Sequence, residues 1–196
     1  ITCSTCHSNS RNHGEILKSR AECLSCHHRK VEAPCQTCHE RQREFKRGQA
    51  MAEEKAQPGY MAELECIACH QKIQEGHRLS DVKATCVGCH GEGYDMLIEG
   101  LQGEIALAVR AIRNQLAYLR AIVKPGASGP VRDAIAFVEE AEGYLSVIER
   151  DGSQGFHNQA YASELIERAK KKLGQARRLL GVRPASLEKQ AMVRTR

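Results

Sequence analysis

The pattern Cys-x-x-Cys-His occurs five times in the first ninety residues and uses all ten cysteines of the chain. The cysteines are Cys3 and Cys6, Cys23 and Cys26, Cys35 and Cys38, Cys66 and Cys69, and Cys86 and Cys89, and the histidines that follow them are His7, His27, His39, His70 and His90. In this motif the two thiols add to the vinyl groups of a porphyrin, and the next residue offers an imidazole to the iron. The sequence therefore predicts five covalently bound haem c groups, with these five histidines as proximal axial ligands.

Disulfide bonds and zinc sites are the two alternative uses of so many cysteines. A disulfide framework does not require a histidine after every second cysteine. Zinc sites are built from tetrahedral sets of Cys and His, so five Cys-x-x-Cys pairs would leave a fifth half-site unmatched. The histidine that follows each cysteine pair and the odd number of motifs favour haem over both alternatives.

Distal axial ligands are expected from the histidines outside the motifs. These are His13, His28, His77 and His157. His28 adjoins a proximal histidine and is predicted to reach a neighbouring haem, while His13 and His77 lie in spacers of the right length to fold over adjacent haems. His157 lies far from every motif, and for it an exposed surface position is a competing interpretation.

The number of histidines leaves one iron without a distal imidazole, because five irons face four remaining histidines. That position is predicted to take a methionine, a lysine, an amine, a ligand from another chain or from upstream of Ile1, or to stay open. The methionine candidates are Met61, Met51 and Met96. An open position would bind small molecules such as nitrite, hydroxylamine or nitric oxide, because haem chemistry depends on access to the iron.

Two regions of different character must position these ligands. Residues 1–93 carry few large apolar side chains, so a protein core of ordinary size cannot form there and the haems are expected to be the core. We expect little regular structure in this pentahaem-binding region apart from short helices that end at the motifs and a helix over Arg41–Lys55.

Residues 94–196 instead show an apolar period of 3.6, which predicts three helices. Their apolar faces consist of Leu97, Leu101, Ile105, Ala108, Ile112, Leu116, Leu119 and Val123, then of Val131, Ile135, Val138, Leu145 and Ile148, and then of Ala162, Leu165, Ala169, Leu173, Ala176 and Leu180. Pro130 suits the first turn of the second helix, and the glycines after Asp151 end it. The predicted fold is mainly α, with a C-terminal antiparallel helical bundle that returns His157 to the haem region and offers subunit contacts.

The formal charge of +5 does not indicate nucleic-acid binding, because haem propionates would add negative charge. The sequence contains no apolar run of membrane-spanning length. Since c-type haem is attached outside the cytoplasm, we expect a periplasmic or other extracytoplasmic location, reached through a targeting or anchoring segment that is not present in this chain.

Two stretches resemble known multihaem c-type cytochromes. Cys23–His28 reads CLSCHH and resembles the class III bis-histidine cytochromes, in which the second histidine ligates another haem. Asp151–Ala162 reads DGSQGFHNQAYA and is similar to the Gly-x-His-Asn turn of the nitrite reductase/hydroxylamine oxidoreductase group. In that group the histidine is a distal haem ligand, and the following helix belongs to a C-terminal bundle used for subunit contacts. The pentahaem nitrite reductases carry Cys-x-x-Cys-Lys at the catalytic haem, and this chain has no such motif.

The resemblance and the motif spacing predict electron relay between redox partners, in respiratory or extracellular electron transfer. Imidazole ligation on both sides favours low reduction potentials. Expected partners are a donor and an acceptor redox protein, a membrane-bound quinol-oxidising or reductase complex, and a second copy of the chain through the bundle. The alternative is a haem enzyme of the nitrite or hydroxylamine type with one open haem, although the sequence contains no convergent His/Arg/Tyr set to mark a substrate pocket.

Overall fold

The computed structural model describes residues 34–37, 39–51, 56–72, 79–123 and 128–182. Within these ranges the chain is mainly helical and contains no strand, which confirms the predicted fold class. Six helices are present there: α1 (Glu40–Lys46), α2 (Cys66–Cys69), α3 (Leu79–His90), α4 (Tyr94–Ile122), α5 (Pro130–Asp151) and α6 (Gln159–Leu179). Cys35–Thr37 and Phe156–Asn158 form single 3₁₀ turns.

The chain divides into two compact units. The first contains Ile1–Cys38 and Leu64–Leu97, and its described part from Leu64 to Leu97 is called the cysteine region below. The second contains His39–Glu63 and the chain from Ile98 onward, and its described part is called the helical region. None of the helices in the described ranges combines the length and apolar character needed to cross a bilayer.

The helical region is built around one apolar core shared by α4, α5 and α6. The predicted face of α6 is confirmed, because its buried side chains include Ala162, Leu165, Ala169, Leu173 and Ala176. On α4 the first buried side chain is Ile98, which is 2% exposed, whereas the predicted Leu97 is 49% exposed, and the shared core begins at Ile105. Burial of these faces is the main stabilising contribution, since apolar area removed from water drives helix packing.

The boundaries of α5 agree with the sequence prediction. Gly129, at φ +61°, precedes the helix and Pro130 is its first residue, where the missing N–H of proline has no intrahelical acceptor to lose. At the other end, Gly152 takes the left-handed conformation with φ +78° and ends the helix after Asp151.

The predicted helix over Arg41–Lys55 is wrong in its extent, because α1 ends at Lys46. Gly48 has φ +68°, which turns the chain out of the helix. The chain then doubles back so closely that a Cβ at Gly48 would lie 2.8 Å from the Ala56 oxygen. Within the short helix, Phe45 is fully buried and joins the core, with its ring 5.3 Å from that of Tyr161.

Candidate haem site

The described residues include part of the predicted site. They are Cys35, His39, Cys66, Cys69, His70, Cys86, Cys89, His90 and His157, together with Met51, Met61 and Met96. Ten predicted site residues lie outside the described residues: Cys3, Cys6, His7, His13, Cys23, Cys26, His27, His28, Cys38 and His77. The fourth and fifth motifs are described completely, and the third is described except for Cys38.

The fourth and fifth motifs both lie on helical turns. Cys66–Cys69 is the whole of α2, and the His70 N–H donates to the Cys66 carbonyl at 3.0 Å. Cys86 and Cys89 lie in the last turn of α3, which ends at His90. Residues three apart on a helix lie on the same face, so each motif presents two thiols side by side with the histidine directly after them. The prediction that helices end at the motifs is confirmed for these two.

These two motifs also lie close to each other within the cysteine region. Helices α2 and α3 are in contact, and Cys69 and Cys86 are half-buried while Cys66 and Cys89 are exposed. Burial raises the pKa of the Cys86 thiol, and the neighbouring Cys69 and Cys89 raise it further. The contact between α2 and α3 therefore places the fourth and fifth motifs on neighbouring helices.

The ring of His90 stacks on the ring of Tyr94, with centroids 4.6 Å apart and an interplanar angle of 12°. Tyr94 opens α4, and the link between the two rings contains Gly91 at φ +94° and Gly93 at φ +93°. Both glycines adopt backbone conformations that side chains disfavour, which lets α4 start directly after the motif. The stacked tyrosine gives the imidazole of this predicted proximal ligand a defined plane.

The third motif leads directly into the helical region. Cys35 is exposed in the Cys35–Thr37 turn, and His39 lies at the start of α1, where its carbonyl accepts from the Arg43 N–H at 3.2 Å. Helix α1 packs on α5 and on the Phe156–Asn158 turn. The predicted proximal ligand His39 is therefore adjacent in sequence to a helix that contacts the turn containing His157.

His157 is held by Asp151 at the end of α5. The imidazole Nδ1 lies 2.7 Å from Asp151 Oδ1, and the Asp151 side chain is 0% exposed while that of His157 is 26% exposed. With Asp151 as a carboxylate, which only accepts, Nδ1 donates this hydrogen bond, and a neutral imidazole then has its lone pair on Nε2, the nitrogen that can bind a metal. Asp151 Oδ2 also accepts from the Ser153 N–H at 3.2 Å and from the Ser153 hydroxyl.

Asn158 attaches the His157 turn to the segment that follows His39. Its side-chain oxygen accepts from the Tyr161 N–H at 3.1 Å and caps α6, and its amide donates to the carbonyls of Lys46 at 3.2 Å and Gln57 at 3.0 Å. The packing at this point is tight, since a Cβ at Gly59 would lie 2.7 Å from the His157 carbonyl oxygen. The main chain of His157 is thus fixed from two sides.

Sequence reasoning did not find Asp151 or Asn158 as site residues. A signal for Asp151 was present, because it lies three residues after Ile148 and six after Leu145 and so continues the apolar face of α5. An acidic side chain on a buried helical face requires a hydrogen-bonding partner. A search for that partner among the following residues would have led to Ser153 and His157.

The three candidate methionines lie in different surroundings. Met51 is partly buried and packs against the core of the helical region. Met61 is 37% exposed and Met96 is 69% exposed. Across the described ranges, no group of three or more His, Cys, Asp and Glu side chains is arranged to hold a metal ion.

Comparison with models of known protein families, with curated proteins and with solved structures finds no match for this chain.

Proposed function

We propose that this chain is a multihaem c-type cytochrome that relays electrons between redox partners outside the cytoplasm. The observation that carries the proposal is the use of all ten cysteines in five Cys-x-x-Cys-His motifs. When bound, the haems supply reversible one-electron chemistry. The role of the protein is then to attach them, ligate them and hold them close together.

The described motifs fit covalent haem attachment. Cys66 and Cys69, like Cys86 and Cys89, are three residues apart on a helical turn, and each pair contains one exposed thiol. The contact between α2 and α3 supports closely spaced fourth and fifth sites. Close spacing is what an electron relay needs, since transfer between sites requires short distances.

We further propose that the three long helices form an antiparallel bundle that carries His157 as a distal ligand. Arg113 on α4 pairs with Glu149 and Glu142 on α5, and Arg120, two turns later on α4, pairs with Glu142. Residues nearer the C-terminus of α4 therefore pair with residues nearer the N-terminus of α5, as expected for antiparallel helices. The fixed Nδ1 of His157 supports its use as a ligand, because ligating histidines donate their second ring N–H to a carboxylate or carbonyl.

A haem enzyme with one open iron is the alternative proposal. The observation that favours it is that five irons would have ten axial positions, whereas the chain contains nine histidines. Electron paramagnetic resonance of the oxidised holoprotein separates the two functions. A relay with every iron six-coordinate should give only low-spin ferric signals, whereas an open haem should add a high-spin signal. Ligation of the fifth iron by Met51, Met61 or Met96 would keep the spectrum low-spin.

The proposal is tested by haem stoichiometry. The chain is produced in a host that matures c-type cytochromes, and haem is quantified by the pyridine haemochrome assay and by the mass of the intact protein. We expect five covalent haems per chain, and four after Cys86→Ser with Cys89→Ser. A chain that carries no covalent haem in such a host would refute the proposal.

A further inference from the structure

We propose that Asp151 is a positioning residue, which fixes the tautomer and orientation of the His157 imidazole and lowers the reduction potential of the haem that His157 ligates. This inference rests on the proposed function, in which His157 is a distal ligand. It starts from the contact of 2.7 Å between His157 Nδ1 and Asp151 Oδ1 and from the complete burial of the Asp151 side chain.

The chemical surroundings of Asp151 indicate that a carboxylate is needed there. Oδ1 faces the His157 ring, and Oδ2 accepts from the Ser153 N–H and hydroxyl, so both oxygens act as acceptors. An asparagine has a single acceptor oxygen and could satisfy only one side. A negative charge in the last turn of a helix is unfavourable, because the C-terminal end of the helix dipole is itself negative. A capping role alone therefore does not explain a buried acid as the last residue of α5.

The main chain around the pair is also fixed. The Ser153 hydroxyl accepts from the His157 N–H at 3.0 Å, Gln102 donates to the Ser153 carbonyl at 2.9 Å, and Gln42 donates to the Asp151 carbonyl at 3.1 Å. Gly155 has φ +84°, and a Cβ there would lie 2.9 Å from the Ala162 side chain. The backbone therefore holds the imidazole and the carboxylate in one relative orientation.

A buried carboxylate on Nδ1 makes an imidazole a stronger donor to the metal at Nε2. Stronger donation stabilises the ferric state more than the ferrous state, so the reduction potential of that iron falls. The same hydrogen bond also keeps the imidazole on the iron against competing ligands.

Asp151→Asn in the holoprotein tests the inference directly. We expect the midpoint potential of one haem to rise in a spectroelectrochemical titration and the other four to stay unchanged. We also expect the affinity of that iron for added cyanide to rise by about 10- to 100-fold, the usual size of a second-sphere effect on metal–ligand affinity. Asp133→Asn is the matched control. Asp133 is exposed in the first turn of the same helix, about 27 Å from Asp151 along the helix axis.

Ser153→Ala is a second variant, and it should change the reduction potential of the same haem in the opposite direction. It removes one donor from the Asp151 carboxylate, which leaves more negative charge to act on His157, so the potential of the same haem should fall. A merely structural role for Asp151 would not move one haem in opposite directions in the two variants. If Asp151→Asn fails to fold, as judged by far-ultraviolet circular dichroism, an unchanged potential in Ser153→Ala overturns the inference.

His157→Ala separates failure of the inference from failure of its premise. If this variant converts one haem to high spin while Asp151→Asn matches the wild type, Asp151 has no positioning role and the cytochrome proposal stands. If all haems stay low-spin in His157→Ala, the ligand assignment fails and the inference with it. Absence of covalent haem from the wild type would instead refute the proposed function.

Discussion

The cysteine region and the helical region differ in where they keep their apolar side chains. Helices α2 and α3 of the cysteine region bury no residue, and Leu64, Ile67 and Leu79 are exposed there. In the helical region, by contrast, α5 buries six apolar residues and Asp151, α6 buries seven residues, and the apolar ones share one core with α4 and Phe45. The helical region therefore has a core made of its own side chains, whereas the described cysteine region does not.

This difference indicates that the two regions are stabilised in different ways. A short segment without buried side chains gains too little free energy to offset the entropy of ordering its backbone. In small metal-dependent domains the bound group supplies that free energy. On the proposed function, haem would serve as the apolar body that Ile67 and Leu79 cover, and the helical region would fold without it.

Removal of the proposed haem attachment sites from the cysteine region should change the difference between the two regions most. We expect replacement of Cys66, Cys69, Cys86 and Cys89 by alanine to abolish the two proposed haem sites and to reduce amide protection in α2 and α3 to that of an unstructured peptide. Protection in α5 and α6 should be retained, because their core contains none of these residues. Hydrogen–deuterium exchange read by mass spectrometry measures both regions in one sample. Equal loss of protection in α5 and α6 would show that the two regions do not fold independently.

The opposite experiment weakens the helical region from within. Leu119 on α4 is 0% exposed and Leu107 on the same helix is 69% exposed, so the two form a matched pair for substitution. Leu119→Ala should lower the free energy of unfolding of the helical region by about 2–5 kcal/mol, and Leu107→Ala by less than about 0.5 kcal/mol. Denaturant unfolding followed by far-ultraviolet circular dichroism measures both changes in the free energy of unfolding. Similar costs for the two substitutions would contradict the assignment of the buried face of α4.

The sequence predicted the parts of the fold that depend on local rules. The apolar period located α6, and Pro130 and Gly152 marked the ends of α5, because these signals act within one or two turns. The burial of Ile98 rather than Leu97 was not predictable from the sequence, since both fit the helical period and only the tertiary structure decides which of them is buried.

The same limit applies to the candidate site. Covalent chemistry fixes the Cys-x-x-Cys-His spacing, so the attachment motifs are evident from the chain alone. The contacts of Asn158 with the carbonyls of Lys46 and Gln57 join residues about a hundred positions apart. No local pattern encodes such contacts, and they become visible only when the helices are assembled.

Asn158 joins the segment after His39 to the start of α6, and its substitution should give the smallest of the three effects. Asn158→Ala removes the cap on the Tyr161 N–H and the donors to Lys46 and Gln57. The loss of a helix N-cap costs about 0.5–2 kcal/mol, below the cost expected for Leu119→Ala. Asn114→Ala is the control, because Asn114 is exposed within α4 and alanine is the better helix former there.

The location of this effect matters more than its size. Amide protection should fall in α1 and around Gly59, because Asn158 holds this segment against the turn, while the cores of α5 and α6 should keep theirs. Loss confined to α1 would mean that Phe45 alone does not hold this helix in place and that the polar contacts of Asn158 set its stability. A uniform loss across α5 and α6 would mean instead that α1 unfolds only together with these two helices. In that case the segment that follows the third motif would be as stable as α5 and α6. The part of the chain stabilised by its own apolar core would then begin at His39.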